Sequence, residues 1–349
     1  MLAAYNPQLL SPQCFPAVMK IVYFGTPQFA VPSLVRLLKD PDFDVIAVVT
    51  QPDKRRGRGG TVTPSPVKTV ATDAGVPVWQ PQKIKKDSDT LNRLRMAQAD
   101  AFVVVAYGQI LSQEILDMPR LGSINGHGSL LPTYRGAAPI QWSLYHGEAK
   151  TGVTTMLMDA GMDTGPMLLE ESIAVGLLDN AWTIADALSK LTAELLLSTL
   201  HKLDGQAIRP IPQIEEHATY APLIKKADYV IDWQRPAVAI HNQIRGFYPS
   251  CVTRLREQPL KISETIPLVD GVWSQLPQNY QSLKDDYLQL PSPQPGEIAA
   301  IWKNHGPVVG TGDGYLLLRQ LQPAGKKSQS GWDFANGSRL QGGERLGTP

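Results

Sequence analysis

Lys20-Ile-Val-Tyr-Phe24-Gly25-Thr-Pro27, followed by a helical pattern from Gln28 to Lys39, is the stretch that decides the fold. Lys20 to Phe24 reads as a short buried strand. A glycine turn and a helix start follow directly, the opening of a β–α–β unit of the nucleotide-binding kind. The Gly-x-Gly-x-x-Gly spacing is absent because only Gly25 is present, which weakens a dinucleotide-dependent oxidoreductase. Outward from this start the alternation repeats. Asp44 to Thr50 is a second strand, Pro66 to Ala74 a helix, Val76 to Trp79 a strand and Ser88 to Ala97 a helix. The apolar run Ala101-Phe-Val-Val-Val-Ala106 is another buried strand. The pattern predicts an α/β fold with a largely parallel sheet, in which catalytic groups sit at the carboxyl ends of strands.

The next short strand, Ser123 to His127, opens the stretch Ser123-Ile-Asn125-Gly126-His127-Gly-Ser129-Leu130-Leu131-Pro132. Residues two apart on a strand point the same way, so Asn125 and His127 share a face. An amide and an imidazole side by side suit an attacked carbonyl: the amide donates to the developing oxyanion, and the imidazole donates or moves a proton. Taken alone, the pair reads first as a capping Asn and a satisfied histidine in a Gly-rich turn. Thr151 to Met158 reads as a strand, and Asp159-Ala-Gly-Met-Asp163-Thr-Gly165-Pro166 after it as a tight loop with two carboxylates. A carboxylate beside a histidine favours the imidazolium and can accept a proton from an attacking amine. Two Asp in a glycine turn are also ordinary turn formers.

Taken together, Asn-x-His-Gly-Ser-Leu-Leu-Pro, Arg135-Gly-Ala-Ala-Pro139-Ile-Gln141 and Asp159-x-Gly-x-Asp163-Thr-Gly165 resemble the folate-dependent formyltransferase family. The resemblance implies a Rossmann-like N-terminal domain with a mostly parallel sheet, followed by a small OB-like β-barrel. It implies that Asn125, His127 and Asp163 form the catalytic set, that Ser129, Leu130, Leu131 and Pro132 contact folate, and that no metal takes part. It further implies formyl transfer from 10-formyltetrahydrofolate, as co-substrate, to the α-amine of methionine on initiator methionyl-tRNA. Gly126 departs from the pattern, which commonly has an aliphatic residue there.

Gln51 to Lys68 carries five Lys/Arg against one Asp among glycines and prolines, and reads as a mobile basic loop. Lys54, Arg55, Arg56 and Arg58 suit backbone phosphates, which position RNA without reading its sequence; a solvated surface loop is the other reading. The run is similar to the loop by which the family engages the tRNA acceptor end, with Arg58 at its Gly-Arg-Gly segment. Members that hydrolyse formyltetrahydrofolate or formylate glycinamide ribonucleotide share the catalytic set. The basic loop and the barrel point instead to tRNA.

Ala138 to Tyr145 is a predicted helix, with Arg135 in the turn before it either binding an anion or anchoring the turn. Met167 to Ala174 is a predicted strand, and Ala181 to Leu203 a long amphipathic helix whose apolar face packs on the core. Pro210, Pro212 and Pro222 suggest a linker. A helix from Pro236 to Gly246 then precedes short strands at Cys251 to Arg256, Leu260 to Glu264, Gly296 to Trp302, Gly306 to Val309 and Tyr315 to Gln320. The expected organisation is an extension over 1–18, a catalytic domain over 19–205, a linker over 206–223, a barrel over 224–340 and a frayed tail over 341–349.

The 349 residues suffice for two cores, and the net charge of +1 means any nucleic-acid contact is local. Cys14 and Cys251 have no metal-ligand spacing, which fits a reducing compartment. No apolar run reaches the roughly 18 residues of a membrane span. A cytoplasmic monomer is expected. Residues 1–18 lack the basic start and longer apolar centre of a signal peptide, so Met19 is the expected initiator or 1–18 a disordered extension. Intact mass of the natively expressed protein distinguishes these, a mass matching Met1 rejecting the shorter start.

Overall fold

The structure is a computed structural model that describes residues 18–56, 61–292 and 294–347. It divides into two compact units, one up to Ile124 and one from Asn125 onward. The first unit contains β1 (Met19–Gly25), α1 (Val31–Lys39), β2 (Phe43–Val49), β3 (Lys54–Arg56), β4 (Thr61–Thr63), α2 (Pro66–Asp73), β5 (Val78–Trp79), α3 (Ser88–Ala97), β6 (Ala101–Val105) and α4 (Gln113–Leu116), and ends within β7 (Ser123–His127). Its sheet has the order β7-β6-β1-β2-β5, and β1 pairs in parallel with both β2 and β6. Ile21 to Phe24 and Ala101 to Val103 are fully buried, as strands covered on both faces must be. Phe24 packs on Phe102 and Tyr107 at 5.2 and 5.5 Å between ring centroids.

The second unit continues with β8 (Arg135–Gly136), α5 (Pro139–Tyr145), β9 (Lys150–Leu157), β10 (Met167–Ala174), α6 (Ala181–Asp204) and β11 (Tyr220–Ala221). Here β7 neighbours β9, which pairs antiparallel with β10. Asn180 starts α6 with a capping box: its carboxamide oxygen accepts from the N–H groups of Trp182 and Thr183, and the Thr183 hydroxyl accepts from the Asn180 N–H. The helix then runs for 24 residues with its leucine-rich face on the core.

The rest of this unit is α7 (Ala237–Gly246), β12 (Val252–Leu255), β13 (Gln258–Leu268), α8 (Gln278–Gln281), α9 (Lys284–Tyr287), β14 (Ile298–Trp302), β15 (Gly306–Gly310), β16 (Tyr315–Pro323), β17 (Gln329–Ser330), α10 (Gly331–Ser338) and β18 (Leu346–Gly347). The antiparallel order β14-β15-β16-β13-β12-β18 closes on itself, because Glu297, just before β14, bridges Arg345, just before β18. This is the small barrel, and Ile240, Ile244, Phe247, Ile262, Leu316, Leu318 and Phe334 share its core.

Four details differ from the sequence reading. The ends of the basic loop form a β3–β4 hairpin, Lys54 opposite Thr63 and Arg56 opposite Thr61. Strand β13 runs past Glu264 to Leu268, with Pro267 inside it opposite Leu316. Helix α10 was not anticipated, although Ser330 caps it by accepting from the Asp333 N–H. The described part of the tail is not frayed: β18 pairs with β12, and Glu344 is bound by Arg256 at 2.6 and 2.7 Å.

Candidate active site

Strand β7 buries both Asn125 and His127, at 9% and 6% exposure. Gly126 between them faces the other way, against α6. A Cβ built on Gly126 would lie 2.5 Å from Cγ2 of Thr192, which explains why no aliphatic residue stands there. Gly126→Ala is expected to destabilise by about 1–3 kcal/mol through overpacking, and Thr192→Ser in the same chain to restore most of that. Ser keeps the hydroxyl that donates to the Leu188 carbonyl and removes only the clashing methyl. Denaturant unfolding of the single and double variants checks this; a Gly126→Ala protein of parental stability contradicts it.

His127 Nε2 lies 3.0 Å from the Tyr134 carbonyl oxygen. A carbonyl can only accept, so Nε2 carries a proton and donates. Nδ1 faces the Asp163 carboxylate at 3.6 Å, an ion-pair distance when the ring takes a second proton. The same Asp163 oxygen accepts from the Gly136 N–H at 2.8 Å. Gly136 has φ +121°, and a Cβ there would meet the Ala221 carbonyl oxygen at 2.7 Å, so only glycine presents its N–H to Asp163 in this way. Tyr134 and Asp163 themselves stand in the left-handed region, at φ +60° and +55°. Such backbone persists only where its surroundings impose it. For Tyr134 those surroundings are the Thr219 hydroxyl, which accepts from its N–H at 2.8 Å, and Glu148, which accepts from its own hydroxyl at 2.7 Å. Burial, and then Glu148, push the Tyr134 phenol well above its ordinary range, so it stays protonated.

The other acid of the loop does a different job. Asp159 accepts from the Gly161 N–H at 3.0 Å and the Thr164 hydroxyl at 2.7 Å, the turn-forming role. Arg135 anchors rather than binds an anion: it is almost fully buried and donates to Gln213 and Glu215 at 3.0 and 2.8 Å. Gln213 in turn donates to the carbonyls of Asp163 and Gly165, both at 2.8 Å. The sequence reading placed Gln213 and Thr219 in a linker and missed their contacts here.

Ser129 to Pro132 follow β7 in a tight turn. The Ser129 hydroxyl donates to the Thr133 carbonyl at 2.6 Å, and the Thr154 hydroxyl accepts from the Leu131 N–H at 3.0 Å. Ser129 and Leu131 are buried, so their side chains shape the turn, while Leu130 and Pro132 are part-exposed. A cavity of about 480 Å³ is lined by Leu130, Leu131, Pro132, Tyr134, Glu148 and Lys150, among others.

In the basic segment Lys54 is exposed at the start of its hairpin. Arg55 and Arg56 occupy β3, and Arg58 lies outside the described residues. The base is pinned by Asp53, which accepts from Lys68 at 2.6 Å and Gln80 at 2.8 Å. The Lys68 and then the Gln80 hydrogen bond hold that carboxyl below its usual range. Lys68 is thus committed to an intramolecular pair. No helix among the described residues is long and apolar enough to cross a membrane.

Comparison with known proteins agrees over nearly the whole chain. Residues 19–200 match the family described as formyl transferase, and 223–339 its C-terminal domain. A methionyl-tRNA formyltransferase of Trichodesmium erythraeum is 61% identical, over 94% of this chain and 98% of the relative. Those of a Cyanothece and a Synechocystis species are each 59% identical, over 94% and 92% of this chain and 99% and 98% of the relatives. A sugar 3N-formyl transferase, solved with dTDP and 5-N-formyl-THF, shares the fold at TM-score 0.60 and 19% identity, over 89% of this chain and 99% of that one.

Proposed function

The chain belongs to the formyl transferase family, and on that premise we propose that Asn125, His127 and Asp163 carry its reaction. The reaction moves the formyl group of 10-formyltetrahydrofolate, as co-substrate, to the α-amine of methionine on initiator methionyl-tRNA, supplying translation initiation. In the proposed mechanism the amine nitrogen attacks the formyl carbon and the carbonyl oxygen becomes an oxyanion. Asn125 donates to that oxyanion, and so does the His127 Nε2–H once the formyl oxygen replaces the Tyr134 carbonyl as its acceptor. The proton lost by the amine passes to the Asp163–His127 pair, and collapse expels the folate nitrogen, which is protonated as it leaves. Aligned donors of this kind, held in a site that excludes water, are the largest single source of acyl-transfer catalysis. One observation carries the assignment. His127 has its Nε2 proton turned to the Tyr134 carbonyl and its Nδ1 to the Asp163 carboxylate at 3.6 Å, which brings the imidazole and the carboxylate of the set together in one buried site.

Ser129 to Pro132 are proposed to shape the folate-contacting turn, with Leu130 and Pro132 offering surface. Lys54, Arg55, Arg56 and Arg58 are proposed to contact the tRNA backbone. We take 19–205 as the catalytic domain, 224–340 as the barrel and the protein as a cytoplasmic monomer. The test mixes the protein with 10-formyltetrahydrofolate and methionyl-initiator tRNA and assays both formyl-methionine and free formate. Formyl-methionine with little formate is the expected result; formate alone would mean that water is the nucleophile. In the same assay Arg58→Ala should raise the KM for tRNA about tenfold and leave folate binding unchanged, as loss of one or two phosphate contacts does. Equal loss for both substrates would reject the role of the loop.

A further inference from the structure

Residues 211–221 cross both limbs of the active site. Ile211 exchanges two backbone hydrogen bonds of 2.8 Å with Met167, just beyond the Asp163 loop. Thr219 accepts from the backbone N–H groups of Tyr134 and Arg135, both at 2.8 Å. Tyr220 and Ala221 pair in parallel with Arg135 and Gly136, the residue whose N–H holds the Asp163 carboxylate. Between these two grips stands Gln213. Its two amide hydrogens go one each to the carbonyls of Asp163 and Gly165, and its amide oxygen accepts from Arg135 Nε. Arg135 can only donate and the two carbonyls can only accept, so just one orientation of the amide satisfies all three partners.

We propose that this segment is a strap that completes the site, with Gln213 the positioning residue for Asp163. The inference rests on the assignment of Asp163 to catalysis. Asp163 is held at two points, its carboxylate by Gly136 and its backbone by Gln213, and it sits at φ +55°. With one point released, the backbone is free to leave the left-handed region. The carboxylate then swings away from His127 Nδ1. A misplacement of about 1 Å at a reacting group is worth about a hundredfold in rate. Arg135 keeps Gln213 in place from behind, which gives a buried arginine a purpose other than binding substrate.

The discriminating variant is Gln213→Glu. It has the same shape and still accepts from Arg135 Nε, but it sets a carboxylate oxygen against the carbonyls of Asp163 and Gly165. Gln213→Ala, with unfolding followed in parallel, guards against a Glu variant that does not fold. Each is made in the parent and in Asp163→Ala, and kcat and both KM values are measured on the full chain. The expected result is a kcat loss of about ten- to a hundredfold for either variant in the parent, with KM values within about twofold. In Asp163→Ala the same substitutions should cost nothing further, because residues acting through one group are not additive. Equal loss in both backgrounds, or a change confined to KM, overturns the proposal. Parental turnover by Asp163→Ala itself would instead overturn the catalytic assignment on which it rests.

Discussion

His127→Ala lowers turnover of methionyl-tRNA at least a hundredfold, with the chain still folded. Removing one preorganised oxyanion donor costs about 3 kcal/mol of barrier, which is about two orders of magnitude in rate. The stability cost is separate and small. The imidazole bonds one backbone carbonyl, that of Tyr134, and a single such bond contributes about 1 kcal/mol net. Tyr134 keeps its other two restraints, from Thr219 and Glu148. Single-turnover formylation at saturating substrate, read beside thermal unfolding, separates these effects. Turnover near the parent's would remove His127 from the mechanism. Asp163→Asn sharpens the test, because the amide oxygen can still accept from the Gly136 N–H while the charge facing Nδ1 is gone. A loss there comparable to His127→Ala places the two in one unit; a negligible loss assigns the Asp163 side chain to the turn alone.

How much of this is legible in the sequence follows from the range of each interaction. The parallel sheet is legible because strands covered on both faces are continuously apolar, as Ile21 to Phe24 and Ala101 to Val105 are. Asn125 and His127 are legible as a pair because a strand repeats every two residues. That Asp163 meets His127 rests on the Gly136 N–H and the Gln213 amide, contacts between chain segments that no local pattern encodes. Prolines 210, 212 and 222 signal a segment without helix or strand, yet that segment is the strap: composition reports local conformation and is silent on what the side chains reach. Pro267 misleads in the same way. It lies past the Glu264 end of the expected strand, yet sits in β13 beyond irregular register at Ile262–Thr265. The tail looks polar and loose, but Leu346 donates to the Gly296 carbonyl at 2.7 Å beside the bridge that closes the barrel. Ser330 three residues before Asp333 is a helix start that local reasoning can find.

Asn125→Asp is the substitution that separates the two meanings of the Asn–His pair. If Asn125 only capped or filled its strand, Asp would serve nearly as well, being isosteric and of almost equal capping strength. If Asn125 donates to the oxyanion, Asp is the worst replacement available. It exchanges a donor for a carboxylate at the point where negative charge develops, inside a buried strand where such repulsion is weakly screened. Asn125→Ala removes the donor but leaves room for a water to substitute, so it should lose about a hundredfold in kcat. Asn125→Asp should lose more than Asn125→Ala, at unchanged KM for 10-formyltetrahydrofolate, since the ground-state formyl group carries no full charge to repel. Measuring kcat and KM for both variants decides the matter. Asp falling below Ala makes Asn125 an oxyanion donor, whereas Asp staying near the parent with Ala below it makes Asn125 a structural residue and leaves His127 to stabilise the intermediate alone.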